Sequence, residues 1–271
     1  TLYAMRKDSP LIVGKGDNSF YIASDISAFL DYTNEIYALE NKEILTLSEN
    51  EIHIYNKNKE EVKRSYGIAD LDQSRIHKGE YLHFMEKEIF EQPQAVKDTL
   101  LYACNQDNDD FSYEAFSMSE SDFQDISRVR IIACGSAYHV GYVLKSVCES
   151  LARVPVQVEL ASEFRYNHPI LEDGELVISI SQSGETADTL AALKEAKKLG
   201  AKTLSIVNVK GSAIAVESDF AFYTQAGPEI AVATTKAYSC QLVASYIFSL
   251  LLAKAKGKIK DEEACSLRDE L

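Results

Sequence analysis

The sequence contains no CxxC pair and no Cys/His spacing of the kind that ligates zinc. Its five cysteines, Cys104, Cys134, Cys148, Cys240 and Cys265, are odd in number, widely spaced and mostly set within apolar runs. Reduced thiols of a cytosolic protein are therefore expected, and a structural zinc is not. Basic charge is also scarce: 28 Lys and Arg stand against 42 Asp and Glu, a formal net charge of −14. A general nucleic-acid binder would carry a basic face, so that class is set aside. Small anionic ligands are not, because local amides and dipoles build their sites. No signal peptide opens the chain. The longest apolar stretch, Leu242 to Ala253, contains Ser245 and Ser249 and is too short to span a bilayer. A cytoplasmic protein with no membrane partner and no cofactor is the expectation. What is present, 46% hydrophobic and 26% charged residues over 271 positions, suits one large domain or two ordinary ones.

One stretch organises the rest. Leu176 to Ile180 is a short apolar, β-branched run, the pattern of a strand buried on both faces. It breaks into Ser181-Gln182-Ser183-Gly184-Glu185-Thr186, after which Ala187, Leu190, Ala191, Leu193 and Ala196 recur at helical spacing. A helix N-terminus presents unbonded N–H groups and about half a positive charge to such a turn. Ser181, Ser183 and Thr186 add hydroxyl donors, and Gly184 lets the backbone bend close to a ligand. That is a cradle for a phosphate group made without lysine. An N-cap and loop between a core strand and a helix accounts for the same residues, and local pattern alone leaves both readings standing.

Toward the N-terminus, Thr1–Met5, Leu11–Val13 and Phe20–Ala23 read as short strands, and Ser24-Asp25 caps a short helix through Leu30. Two hairpins are expected next: Ile36–Leu39 turning at Glu40–Lys42 into Ile44–Leu47, and Ile52–Tyr55 turning near Asn58 into Val62. This is antiparallel β structure without helical cover, an incomplete domain. His53 reads as a solvent-facing strand histidine, and a bare Thr1 with no oxyanion donors beside it supports no nucleophile. Gly67 to Lys78 is polar and reads as a linker.

Beyond it, a helix over Tyr81–Phe90 is expected to end at Gln92-Pro93, with a second helix following through Leu101. Asn105 to Ser121 reads as a surface loop. From Val129 strands and helices alternate: strands at 129–133, 156–159, 176–180, 203–207 and 220–223, helices at about 137–152, 186–199, 212–217 and 233–255. Such alternation implies parallel pairing, hence an α/β three-layer sandwich with a five-stranded parallel sheet. Ligands bind such sheets at the carboxyl ends of the strands. Three small, hydroxyl-bearing turns fall there: Cys134–Ser136, Ser181–Thr186 and Gly227–Thr235. Cys134 reads as a small core residue and His139 as a packing or capping residue. Glu163 and Arg165 pair with each other or cap an element. Lys236, in the first turn of a helix where a cation opposes the dipole, answers an anion or a carboxylate; Glu229 is ambiguous.

Four motifs in order, Cys134-Gly135-Ser136-Ala137-Tyr138-His139, Ala161–Tyr166, Ser181–Leu190 and Ala226–Ala237, resemble the glutamine–fructose-6-phosphate aminotransferase family. Gly79 to Pro93 resembles the start of that family's first sugar isomerase (SIS) domain, and Phe20–Asp25 with the two hairpins resembles the last part of its glutaminase domain. The resemblance implies residues 1–66 as an incomplete Ntn-type glutaminase domain, 67–78 as linker and 79–271 as the first SIS domain. The chain then reads as a middle fragment, without the family's nucleophilic cysteine, its second SIS domain or most of the residues that perform acid/base chemistry. The implied reaction makes glucosamine 6-phosphate from fructose 6-phosphate and glutamine, the glutamine being handled by the missing glutaminase part. By resemblance Ser181, Gln182, Ser183 and Thr186 hold the sugar phosphate, Ser136 matches a hydroxyl position, and Val232 matches a backbone contact to the sugar. Ala137 departs from the commoner serine, so one hydroxyl contact is lost or replaced by water. No residue here is named as a catalytic base. SIS domains usually pair, so a homodimer is expected. A non-catalytic sugar-phosphate-binding module and a fructosamine-6-phosphate deglycase relative are the alternatives, and the β hairpins of residues 1–66 argue against both.

Overall fold

The computed structural model describes residues 1–7, 10–24, 26–48, 51–63, 65–69, 77–104 and 110–270. They fall into two compact units, Thr1–Gly79 and Glu80–Leu271.

The first unit holds strands β1 (Leu2–Met5), β2 (Ile12–Lys15), β3 (Phe20–Ala23), β4 (Glu35–Ala38), β5 (Ile44–Leu47), β6 (Ile52–Tyr55) and β7 (Gly67–Ile68). They form two antiparallel sheets, in the orders β1-β5-β6 and β3-β2-β4-β7, around Val13, Tyr37, Leu39, Leu45 and Ile54. The expected hairpin between residues 36 and 47 does not form, because β4 pairs with β2 and β7 while β5 pairs with β1 and β6. Leu39 is fully buried and its N–H donates to Leu11 O. Glu43 turns its buried carboxylate back on the Glu40 N–H at 2.7 Å and the Tyr37 hydroxyl at 3.0 Å. These contacts make residues 40–43 a corner between sheets. The second hairpin does form: Asn56 Oδ1 accepts the Asn58 and Glu60 N–H groups, and the chain returns through a Tyr55–Glu61 bridge. A 3-10 helix, Ile26–Ala28, stands where the short helix was expected; Asp25 lies outside the described residues. Gly67 and Ile68, read above as linker, add β7 to β4, a pairing made by backbone alone. Linker positions 70–76 lie outside the described residues.

The second unit contains α1 (Phe84–Ala103), α2 (Glu120–Asp125), β8 (Arg128–Ala133), α3 (Gly135–Leu151), β9 (Val156–Leu160), α4 (Ala161–Phe164), β10 (Glu175–Ser181), α5 (Ala187–Lys198), β11 (Lys202–Val207), α6 (Ala213–Glu217), β12 (Phe220–Tyr223), α7 (Lys236–Ala255) and α8 (Asp261–Asp269). The five strands pair in parallel in the order β12-β11-β10-β8-β9, and β10 is buried at all seven positions. Side chains alternate across the sheet. Val129, Ile131 and Ala133 face a core shared with α3 and α7, whereas Ile132 faces one shared with α4, α5 and α6. This is the expected three-layer sandwich.

Two expectations fail in this unit. The helix does not stop at Pro93: α1 runs through it to Ala103. An internal proline leaves the carbonyl four residues back without its donor, and here the Gln92 side-chain amide donates to that carbonyl, Ile89 O, at 3.2 Å. Nor is the described part of the 105–121 stretch a surface loop. Phe111, Phe116 and Met118 are buried, and Phe116 stacks on Phe222 at 4.5 Å. The polar residues between them kept that spacing from reading as a core segment; residues 105–109 lie outside the described set. Helix α8, also unforeseen, is acidic and buries only Ala264.

Helix α7 is 20 residues long with a mean hydropathy of 1.2 in its most apolar window, the length and composition of a membrane span, yet 78% of that window is buried within the unit. The expectation of too short a stretch counted only its most apolar run. Burial also pushes the Cys148 thiol up to about 12 and the Cys240 thiol up to about 11, which keeps both protonated and unreactive. At pH 8 iodoacetamide labels neither in the native protein. Mass spectrometry showing either labelled without unfolding would contradict that.

Candidate functional site

Strand order fixes where a ligand can sit. After β8 the chain enters α3 on one face of the sheet, and after the adjacent β10 it enters α5 on the other. The two connections diverge at the carboxyl ends of β8 and β10, the switch point where open parallel sheets bind their ligands. The turns Cys134–Ser136 and Ser181–Thr186 both open on it. The strand reaches one residue further than its apolar run, so Ser181 still pairs with Val207.

The Ser181–Thr186 turn shapes itself around its own hydroxyls. Ser181 Oγ accepts the Gly184 N–H at 3.1 Å and lies 3.0 Å from Thr186 Oγ1, while Ser183 Oγ accepts the Glu185 N–H at 3.2 Å. A Ser–Thr contact uses one of the two hydroxyl protons and leaves the other. Gly184 has φ +67° and packs so closely on the β11–α6 connection that a Cβ there would lie 2.0 Å from Ser212 Oγ. Thr186 is the N-cap of α5 but makes no side-chain capping bond. The first-turn N–H groups of α5 have no intrahelical partner by construction of the helix, and they open toward the turn. Ser181 is buried; Gln182, Ser183 and Thr186 are half-buried. Ser136 is exposed in the first turn of α3, after Gly135 at φ +60°. Ala137 is buried in the main core.

Two further segments brace this edge. Asn208, just past β11, donates its N–H to Gln182 O at 3.1 Å and its Nδ2 to Gly227 O at 2.7 Å, and its Oδ1 accepts the Ala226 N–H at 3.0 Å. It thereby ties the Ser181–Thr186 turn to the loop after β12. Glu185 accepts the Ala213 N–H at 2.8 Å, and Gly184 O accepts the Ile214 N–H at 2.9 Å. In the third turn, Glu229 caps α7 by accepting the Thr235 and Ala237 N–H groups and the Thr234 hydroxyl. Lys236 answers a carboxylate, Glu91, at 2.7 Å. Val232 sits on this loop with a fully exposed side chain. Arg165 pairs with Asp188 at 3.0 Å and lies over the Tyr166 ring rather than pairing with Glu163. His139 is exposed, edge-on to Tyr138, and Cys134 is half-buried.

Asn208 and Glu88, whose Oε1 accepts the Ile230 and Ala231 N–H groups, were not singled out from the sequence. For Asn208 a signal exists: it is the first polar residue after the Thr203–Val207 run, at the carboxyl end of a strand. A cavity of about 480 Å³ lies at the opposite, amino-terminal edge of the sheet, among Asp122, Asp125, Glu172, Asp173, Glu175 and Lys202. Its carboxylates repel a phosphate.

Residues 122–251 match the model of the SIS domain. Over 268 residues, 99% of this chain, the sequence is 47% identical to the isomerizing glutamine–fructose-6-phosphate aminotransferase of Clostridium tetani, of which it covers 44%. The corresponding protein of Caldanaerobacter subterraneus is 45% identical over 270 residues, 100% of this chain and 44% of its own length. Among solved structures, the C-terminal domain of glucosamine-fructose-6-phosphate aminotransferase from Francisella tularensis superimposes with a TM-score of 0.69 at 43% identity, covering 72% of this chain and 54% of that one. The chain spans under half the length of the curated relatives it matches. Along its whole length the chain is therefore similar to the glutamine–fructose-6-phosphate aminotransferases, and its residues 122–251 match the SIS domain.

Proposed function

We propose that this chain supplies the phosphate-binding side of the sugar site in a cytoplasmic, homodimeric enzyme that makes glucosamine 6-phosphate from fructose 6-phosphate and glutamine. In this reading residues 1–66 are the last part of a glutaminase domain, 67–78 a linker and 79–271 the first SIS domain. Glutamine is handled by the glutaminase part, and neither nucleic acid nor membrane is a partner.

The supporting observation is the Ser181–Thr186 turn, with its spare hydroxyl proton and the open N–H groups of α5 at the switch point. Neutral donors and a helix dipole suit a dianionic phosphate. Ser181, Gln182, Ser183 and Thr186 hold the phosphate, Ser181 and Gly184 also keep the turn in shape, and Ser136 borders the site from the α3 side. Val232 offers its backbone to the sugar. Fixing the phosphate anchors one end of the open-chain sugar, so that its carbonyl end is presented to groups outside this chain. Proton removal beside the carbonyl needs a positioned base, and none is assigned among these residues. Alone, the chain binds hexose 6-phosphates weakly and does not turn them over.

Isothermal titration tests this reading. Fructose 6-phosphate binds and fructose does not, and Thr186→Val weakens binding about tenfold, the loss of one hydrogen bond to a charged group. Equal binding of fructose and fructose 6-phosphate would overturn the phosphate assignment. Glucosamine 6-phosphate formed from glutamine by this chain alone would overturn the division of labour.

A further inference from the structure

The motif Glu86-Lys87-Glu88-Ile89-Phe90-Glu91-Gln92 on α1 is remote in sequence from the turns at the sheet edge, yet three of its side chains reach that edge. Glu88 Oε1 accepts the Ile230 N–H at 2.7 Å and the Ala231 N–H at 3.0 Å. Glu91 binds Lys236 at 2.7 Å, and Gln92 Oε1 accepts the Ser239 hydroxyl at 2.6 Å. Two turns further, Thr99 Oγ1 accepts the Gln225 N–H at 3.1 Å. The helix thus grips the chain at intervals from Gln225 to Ser239, on both sides of the loop that carries Val232.

Glu88 is the unusual member. It is only 2% exposed, and its Oε2 is buried with no hydrogen-bond partner among the described residues. Burying a carboxylate on two backbone donors is costly for stability alone. An apolar side chain of the same size would pack α1 without that cost, but it would leave the Ile230 and Ala231 N–H groups unbonded and the loop free to shift. At Ala226 and Gly227 the same loop is tied to the Ser181–Thr186 turn through Asn208.

The geometry points to Glu88 as a positioning residue for sugar recognition: it holds the 230–232 backbone where the carbon chain of a sugar phosphate extends from the cradle. The inference rests on the sugar-phosphate reading above and adds to it a residue that touches no ligand. Its signature is a split between two ligands, because inorganic phosphate needs only the cradle and fructose 6-phosphate needs both cradle and loop.

Titration of the 271-residue chain with each ligand reads that split. Glu88→Ala weakens fructose 6-phosphate about tenfold and leaves inorganic phosphate unchanged. Glu88→Gln, which keeps an oxygen acceptor in place, restores most of the affinity. Should Glu88→Ala fail to fold, Ala231→Pro removes one of the two donors without touching α1 and carries the same expectation. Hydrogen exchange at Ile230 and Ala231 is faster in Glu88→Ala than in the wild type. Unchanged fructose 6-phosphate affinity, or an equal fall for both ligands, overturns the positioning role while leaving the cradle intact. A wild-type chain that binds neither ligand overturns the cradle reading and this inference with it.

Discussion

Gly184→Ala removes measurable phosphate binding and lowers the unfolding free energy of the Glu80–Leu271 unit by about 3 kcal/mol, from left-handed backbone and overpacking together. Residue 184 sits at φ +67°, and a methyl group there would meet Ser212 Oγ at 2.0 Å and Ser212 Cβ at 2.5 Å. Relief requires the Ser181–Thr186 turn to move away from the β11–α6 connection. That movement breaks the Ile214 N–H bond to Gly184 O and the Glu185 cap on Ala213. Gly200→Ala is the matching control, since Gly200 has φ +88° but nothing within 4 Å of a Cβ. It loses about 1 kcal/mol, the backbone cost alone, and binds phosphate as the wild type does. Urea unfolding of both variants separates crowding from strain. A Gly184→Ala protein as stable as Gly200→Ala would show that the turn is not tightly packed.

Arg130→Met has a comparable effect on stability with no direct effect on the site. Arg130 lies in β8 with its side chain buried, donating to Glu175, to Glu159 and to Ile170 O. The Glu175 side chain is fully buried, and its other oxygen accepts the Glu172 N–H at 2.9 Å. Removing the guanidinium strands a buried carboxylate, which costs about 3–5 kcal/mol. Exchanging the pair for groups of similar shape is far less damaging, so Arg130→Met with Glu175→Gln recovers part of the loss. Chemical denaturation of the single and double variants reads this directly. A single variant within about 0.5 kcal/mol of wild type, the range of an ordinary surface change, would mean the pair contributes nothing.

The parallel sheet was legible because strand-like and helical stretches alternate from Val129 onward, and β10, buried at all seven positions, was the clearest of its strands. The cradle was legible for a related reason: its hydroxyls, glycine and helix start are all local to Ser181–Thr186. What was hidden depends on distant partners. Nothing near residues 36–47 states that β4 and β5 join different sheets, since Leu39 finds Leu11 and β5 finds β1. Pro93 looked like a helix end because the substitute donor, Gln92, is an ordinary helix residue. Phe111, Phe116 and Met118 were masked by polar neighbours, though all three join the main core and Phe116 packs on Phe222 and Phe248. Glu88 bonds across 142 residues of chain, and no spacing rule reaches that far.

The most direct test is an NMR titration of the ¹⁵N-labelled chain with fructose 6-phosphate. Shifts concentrated at the amides of Ser183 to Asp188, with a smaller set at Ile230 to Ala233 and none around Asp122 and Glu172 at the opposite sheet edge, are the predicted result. Shifts confined to that opposite edge, or none at saturating ligand, would contradict the assignment of Ser181–Thr186 as the phosphate site.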